Sequence, residues 1–134
     1  MKRSFFTQDE VDRIDATGST LYAAQYVSDG VAYEALASDP NPWAVAPVGI
    51  GVPGGVQVSG DLWIPTSAIQ GENPPESGNY LFVGEGSPST DAPDPEGELP
   101  FSGYGVKTLG FVKRVVGGSV LVSVQAQGPT LVLK

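Results

Sequence analysis

Cysteine and histidine are both absent from the 134 residues of this chain. Their absence excludes disulfides, zinc sites built on Cys or His ligands, cysteine nucleophiles and a Ser-His-Asp triad. Basic residues are scarce, since 7 Lys and Arg stand against 15 Asp and Glu, for a net charge of −8. Such an acidic chain does not neutralise a phosphate backbone or an anionic lipid surface, so we expect neither nucleic acid nor membrane as a partner.

Charge of either sign is also low. Charged residues make up 16% of the chain, below the about 25% of ordinary soluble domains. Hydrophobic residues reach 40%, which argues against disorder, and 18 Gly and 12 Pro indicate many turns. With 17 Val against 9 Leu, this composition predicts an all-β fold. We expect a small antiparallel barrel or sandwich with a short N-terminal helix and long Gly/Pro-rich loops.

The N-terminal region is interpreted as a separate unit. We assign residues 1–18 to an arm with a short helix, and residues 19–134 to the β domain. Residues 7–10 (TQDE) match a capping box, and Val11 and Ile14 would form one apolar stripe of a helix that ends near Gly18. The polar residues 8–10 interrupt what would otherwise begin like a signal peptide, and no segment has the length of a transmembrane helix. We therefore find no sequence signal for secretion.

Apolar runs separated by turn residues predict the strands of the β domain. Asp29-Gly30 and Gly117-Gly118 have the composition of two-residue hairpin turns. The prolines between residues 40 and 53 favour irregular chain or an edge strand, because proline cannot donate to a ladder. Residues 84–103 form the longest loop, which is acidic and rich in breakers. The predicted strands are residues 21–27, 31–36, 57–64, 80–83, 106–116, 119–127 and 130–133.

Two motifs look like sites but favour structural roles. Residues 49–54 (GIGVPG) match G-x-G-x-x-G, yet a strand pattern follows where a dinucleotide site needs a helix, so we predict a turn or bulge and no cofactor. Asp91, Asp94, Glu96 and Glu98 offer hard oxygen ligands, but the order of an EF-hand is missing and prolines stiffen the segment. We expect a solvated acidic loop, no metal and no catalytic residues.

Candidate binding residues lie in the arm and among the aromatic side chains. Lys2, Arg3, Phe5 and Phe6 combine two cations with two adjacent apolar rings, which either fold back onto their own core or dock on a partner or a neighbouring copy. The other aromatic residues fit core and rim positions, although an exposed row of them could bind sugar. They are Tyr22, Tyr26, Tyr33, Trp43, Trp63, Tyr80 and Tyr104.

Part of the chain resembles a family of virion proteins. Residues 109–112 (LGFV), 117–125 (GGSVLVSVQ) and 128–129 (GP) are similar to the C-terminal hairpin of small β-rich phage virion proteins. Residues 59–63 (SGDLW) and 77–81 (SGNYL) resemble segments of phage capsid decoration (cement) and head-fibre proteins.

The resemblance implies a bacteriophage structural protein without enzymatic activity, made in the cytoplasm of the host cell. It would be a decoration protein on the capsid surface of the virion, where it binds the major capsid protein and stabilises the shell. It would act as an oligomer, such as a homotrimer of closed symmetry, or as a monomer ordered on the shell. The alternatives are a tail, neck or fibre component and, from a different class, a carbohydrate-binding module.

Overall fold

The fold is built almost entirely from antiparallel strands. A computed structural model describes residues 12–39, 42–43, 46–91, 106–125 and 129–131. Its strands are β1 (Asp12–Asp15), β2 (Ala24–Ser28), β3 (Val31–Glu34), β4 (Val48–Val52), β5 (Gly55–Pro65), β6 (Tyr80–Val83), β7 (Pro88–Ser89), β8 (Val106–Val116), β9 (Ser119–Gln125) and β10 (Pro129–Leu131). One short 3-10 turn, Thr66–Ala68, follows β5. No helix among the described residues has the length and hydropathy needed to cross a bilayer.

All ten strands belong to one sheet that curls into a half-barrel. Its main order is β3-β2-β4-β5-β9-β8-β6-β7, with β1 added beside β5 and β10 beside β8. Backbone hydrogen bonds also join the segment after β3 to the segment after β6. The Ala37 N–H donates to the Gly84 carbonyl (2.7 Å), and the Gly86 N–H donates to the Ala35 carbonyl (3.1 Å). The all-β, antiparallel part of the predicted fold class is therefore confirmed.

Inward-facing valine, isoleucine and leucine side chains fill the concave side. Val120, Val122 and Val124 alternate along β9 and have no exposed surface, as expected for a strand that presents one face to a core. The indole N–H of the buried Trp43 donates to the Leu36 carbonyl (2.9 Å), which ties a loop to the same core. The core cluster is Ala24, Ala35, Trp43, Val48, Ile50, Ile64, Leu81, Val83, Leu109, Val112, Val120, Val122 and Val124.

The predicted hairpins are confirmed. Asp29 and Gly30 have φ values of 52° and 76°, and Ser28 pairs with Val31 on either side of them, which is the backbone that a two-residue Asp-Gly turn requires. Gly117-Gly118 joins β8 to β9 through the pairing of Val116 with Ser119. The predicted strand 80–83 has the bounds of β6. The described part of the predicted strand 130–133 belongs to β10, Pro129–Leu131, and residues 132–133 lie outside the described residues.

The expected N-terminal helix is wrong over the part that the structure describes. Residues Asp12–Asp15 form β1, and Ile14 pairs with Val56 of β5. Val11 and Ile14 alone make a very short apolar stripe, so pairing with an existing strand satisfies this backbone better than a two-turn helix, which is marginal on its own. The capping-box residues 7–10 lie outside the described residues.

The proline-interrupted stretch also differs from its prediction. Val48–Val52 forms β4, which is fully buried and pairs with β2 on one side and β5 on the other. Pro47 and Pro53 lie outside the ladder. Pro47 precedes the strand, and Pro53 lies in the turn to β5, where Gly54 has a φ of 81°. Glycine is also required inside the strand, since a Cβ at Gly49 would overlap the Gln57 carbonyl. The motif at 49–54 is thus the end of a strand and a turn, and a strand rather than a helix follows it.

The predicted loop 84–103 is partly structured. Its first residues include β7, in which Ser89 pairs with Phe82 of β6. The carboxylate of Glu85 accepts from both the N–H and the hydroxyl of Ser38, each at 2.9 Å. Asp94, Glu96 and Glu98 lie outside the described residues.

Candidate docking surface

The convex side of the sheet carries the most distinctive surface of the described chain. On this side Trp63 of β5 pairs with Leu121 of β9, and Leu121 also pairs with Arg114 of β8. A second row runs Asp61, Ser123, Phe111 and Tyr80 across β5, β9, β8 and β6. The alternation of the strands sets this placement, because the intervening residues point into the core. We call these seven residues and Lys113 the outer face.

A β-bulge in β8 adds Lys113 to the outer face. Val112 and Arg114 pair with the consecutive residues Val122 and Leu121 of β9, so Lys113 is an extra residue in the ladder. In a regular strand Lys113 and Arg114 would point to opposite faces, whereas a bulge lets consecutive side chains share one side. Both side chains are exposed. The bulge therefore keeps two adjacent cations out of the core.

Local hydrogen bonds hold the bulge in place. The Ser77 hydroxyl donates to the Lys113 carbonyl (3.0 Å), and the Gly78 N–H donates to the Val112 carbonyl (2.8 Å). The Asn79 side chain in turn accepts from the Glu76 N–H at 2.7 Å, and the Asn79 N–H donates to the Glu76 carbonyl at 3.0 Å. The Ser-Gly-Asn turn before β6 thus fixes the strand on which the two cations sit.

Each cation of the bulge has a partner on β5. The Lys113 ammonium lies 3.0 Å from the Asp61 carboxylate, and the Arg114 guanidinium lies over the Trp63 ring, 5.7 Å from its centroid. The side chains of Lys113 and Asp61 are 37% and 35% exposed. Exposed ion pairs and cation–π contacts are each worth only about 0–1 kcal/mol. Their effect is to orient the indole and the two cations rather than to stabilise the fold.

Large apolar groups remain exposed on and beside the outer face. Trp63 is 44% exposed and Tyr80 is 63% exposed. At the tip of the β8–β9 hairpin, Val115 and Val116 are 39% and 55% exposed. Contiguous apolar groups rimmed by charge are typical of surfaces that bind a partner. Trp, Tyr and Arg are also the residues that most often dominate binding energy at interfaces.

The sequence-predicted candidates fall into three groups. Lys2, Arg3, Phe5 and Phe6 lie outside the described residues, as does Tyr104. Trp43 is buried, and Tyr22 and Tyr26 pack against the core, as the core interpretation predicts. Tyr33 is 45% exposed on β3, where it stacks on Tyr26. Of these candidates, Trp63 and Tyr80 share the outer face, but β9 and β8 separate their strands, so the candidates do not form one long row.

The acidic candidate that the structure describes has a structural partner. Asp91 accepts a hydrogen bond from the Glu72 N–H at 3.1 Å. Among the described residues there is no cluster of three or more Asp or Glu that could hold a metal ion.

The pairing of Trp63 with Arg114 was missed at the level of sequence. Alternation in β5 marks Trp63 as facing away from Ile64, but the one-residue bulge that brings Arg114 over it leaves no sequence signal.

Comparison of the chain with protein-family models, with curated proteins and with solved structures finds no match.

Proposed function

We propose that this chain is a non-enzymatic virion structural protein: a capsid decoration protein that binds the outer surface of a phage shell and stabilises it. The observation that carries the proposal is the outer face, where Trp63 and Tyr80 are exposed on a rigid sheet beside the cations of the bulge. The partner is the major capsid protein, with self-association into a closed oligomer as a second contact. Nucleic acid and membrane are not partners in this proposal.

The physical requirements of decoration agree with this surface. A protein that clamps neighbouring shell subunits stabilises the assembled state by mass action, because it binds that state in preference to the separated subunits. It needs a stiff body and exposed anchors, and no bond is made or broken. The curled sheet supplies the stiffness, and Trp63 with its Arg114 partner supplies a preoriented anchor, which lowers the entropy lost on binding.

The copy number on particles tests this function. Particles purified from the source would be analysed by quantitative mass spectrometry, with the major shell protein as the internal standard. A copy number comparable to that of the shell protein supports decoration. A few copies per particle would replace it with a tail, neck or fibre role, and absence from particles would overturn the virion assignment.

A carbohydrate-binding module is the second candidate function. It is favoured by the two exposed rings, Trp63 and Tyr80, which share one face with the exposed polar groups of Asp61 and Lys113. Glycan-array binding that disappears in both Trp63→Ala and Tyr80→Ala would support it. No binding to any glycan would remove this candidate and leave decoration.

A further inference from the structure

The C-terminal half of β5 has one edge without a strand partner among the described residues. β9 pairs with residues 59–65 on one edge, and β1 pairs with residues 55–59 on the other. Ser59 pairs with both strands, so β1 and β9 lie on opposite edges of β5 at this point. Within the described strands, none continues along the β1 edge past Ser59, which leaves residues 61–65 open on that side.

The hydrogen-bond pattern of β5 shows which groups point toward the open edge. The Thr66 N–H donates to the Gly118 carbonyl (2.9 Å), in register with the pairing of β5 and β9. Hydrogen-bonded and non-hydrogen-bonded pairs alternate along an antiparallel ladder. Residues 62 and 64 therefore exchange bonds with β9, whereas the odd-numbered residues of 61–65 direct their backbone groups to the open edge.

The open edge carries equal numbers of donors and free acceptors. The donors are the N–H groups of Asp61 and Trp63, because Pro65 has no N–H. The free acceptors are the carbonyls of Trp63 and Pro65, because the Asp61 carbonyl already accepts from the Gln57 side-chain amide at 3.2 Å. A short segment with matched donors and acceptors can pair with a second copy of itself.

We propose that two copies of this chain pair antiparallel through the open edge of β5, about a two-fold axis at Trp63. Trp63 exchanges two hydrogen bonds with Trp63 of the second copy, and the Asp61 N–H of each copy donates to the Pro65 carbonyl of the other. Pro65 then lies opposite the Asp61 carbonyl, which needs no donor from it because Gln57 supplies one. Every free group of the edge is used, and the two-fold symmetry closes the assembly at two copies.

The neighbouring registers fit this edge less well. Centred on Asp61, the pair would bring two carboxylates directly opposite each other, which opposes pairing. Centred on Leu62, it would bring the second copy against Ser59, where Asp12 already pairs. Centred on Pro65 or on the residue before it, the pair would leave the Asp61 N–H without an acceptor, because β5 ends at Pro65. The register centred on Trp63 avoids all three problems.

The charges near the axis are compatible with this register. The Asp61 residues of the two copies stand four positions apart along the strands, about 14 Å. This separation exceeds the screening length of about 10 Å at 0.1 M salt, so their repulsion is weak. Each Asp61 carboxylate also keeps its contact with the Lys113 ammonium of its own copy, at 3.0 Å.

The pairing would join two outer faces into one surface. A two-fold axis within an antiparallel sheet is perpendicular to the sheet, so both outer faces point to the same side. The two Trp63 residues lie directly opposite each other, with Cα atoms about 5.5 Å apart, and aromatic pairs at such positions stabilise sheets. A shell would bind the pair through two sets of anchors and hence with avidity. Only this last consequence rests on the function proposed above.

Amide hydrogen exchange of the full wild-type chain, read by NMR, tests the proposal by dilution. Only residues 61–65 of each copy meet, far fewer than the about 20–30 residues a side of a standard interface, so we expect a dissociation constant on the order of 10–100 μM. Between about 1 mM and about 10 μM protein, at about 0.15 M salt, the Asp61 and Trp63 amides should exchange about fivefold faster in the dilute sample. The Leu62 and Ile64 amides, bonded to β9, serve as the folding control and keep their rates.

Exchange rates of Asp61 and Trp63 that do not depend on concentration would overturn the proposal. Fast exchange in both samples would leave the edge in contact with water. Slow exchange in both samples would assign the edge to a partner segment within the same chain. Because the experiment uses the isolated protein, its result is independent of the copy number on particles that tests the decoration role.

Single introduced cysteines read the register of the pair, since the chain has none of its own. In Trp63→Cys the two Cα atoms would lie about 5.5 Å apart, within the range that a disulfide spans, whereas in Asp61→Cys they would lie about 14 Å apart. We expect disulfide-linked dimers to form at least about tenfold faster in Trp63→Cys than in Asp61→Cys. Tyr33→Cys, at a comparably exposed position on β3, is the control for random collisions. Similar rates in the three variants would contradict a two-fold axis at Trp63.

Discussion

Gly110→Ala is expected to cost about 3–5 kcal/mol of the free energy of unfolding, which combines the costs of backbone strain and of overpacking. Gly110 lies in β8 with φ 145°, where a side chain is strained, and a Cβ there would overlap the carbonyl oxygen of Ser123 in β9. The overlap is with backbone, so no rotamer change relieves it. Urea and thermal unfolding measure the loss, and we expect the melting temperature to fall by about 10–20 °C.

Gly118→Ala is the matched control for this substitution. Gly118 lies in the turn of the same hairpin, and a Cβ there meets nothing within 4 Å. Its stability should stay within about 0.5 kcal/mol of the wild type. Equal losses in the two variants would contradict the close approach of β8 and β9 at Gly110.

Trp63→Ala is expected to weaken binding to shells stripped of this protein by about 30-fold or more, since truncating a central aromatic anchor commonly costs at least about 2 kcal/mol. Trp63 is 44% exposed and faces away from the core, so the melting temperature should hardly change. Co-sedimentation with shells over a range of protein concentrations measures the affinity.

Tyr33→Ala separates a specific anchor from general loss of aromatic surface. Tyr33 is 45% exposed, nearly the same as Trp63, but it lies on β3 at the far end of the sheet order. We expect less than about a threefold change in affinity. If Tyr33→Ala weakens binding as much as Trp63→Ala, the docking surface is not the outer face.

The strands followed from the sequence wherever local chemistry decides the structure. Asp29-Gly30 and Gly117-Gly118 have the backbone freedom that tight hairpins need, and Val120, Val122 and Val124 have the period of a strand with one buried face. These signals act over a few residues, so they are legible without knowledge of the rest of the fold.

The errors occurred where pairing with distant strands decides the structure. β4 was assigned as irregular chain or an edge strand because of its flanking prolines, yet β2 and β5 pair with it on both sides. Asp12–Asp15 has helical signals before it but pairs with β5, forty or more residues later in the chain. Local propensity carries no information about such partners.

The candidate site was predictable only in part. The alternation of β5 assigns Trp63 to the side opposite Ile64, and this holds in the structure. The bulge at Lys113 depends on the register between β8 and β9. It also depends on the hydrogen bond that the Ser77 hydroxyl donates to the Lys113 carbonyl. No pattern within β8 itself indicates that Arg114 reaches Trp63.

Photo-crosslinking in intact particles tests most directly whether the outer face docks this protein on a shell. A benzophenone-bearing phenylalanine would replace Tyr80, which is 63% exposed on the outer face, or Tyr33 on β3 as the control. We predict a crosslink to the major shell protein from position 80 and none from position 33. A crosslink to the shell from position 33 alone, or no crosslink from either position, would contradict the account.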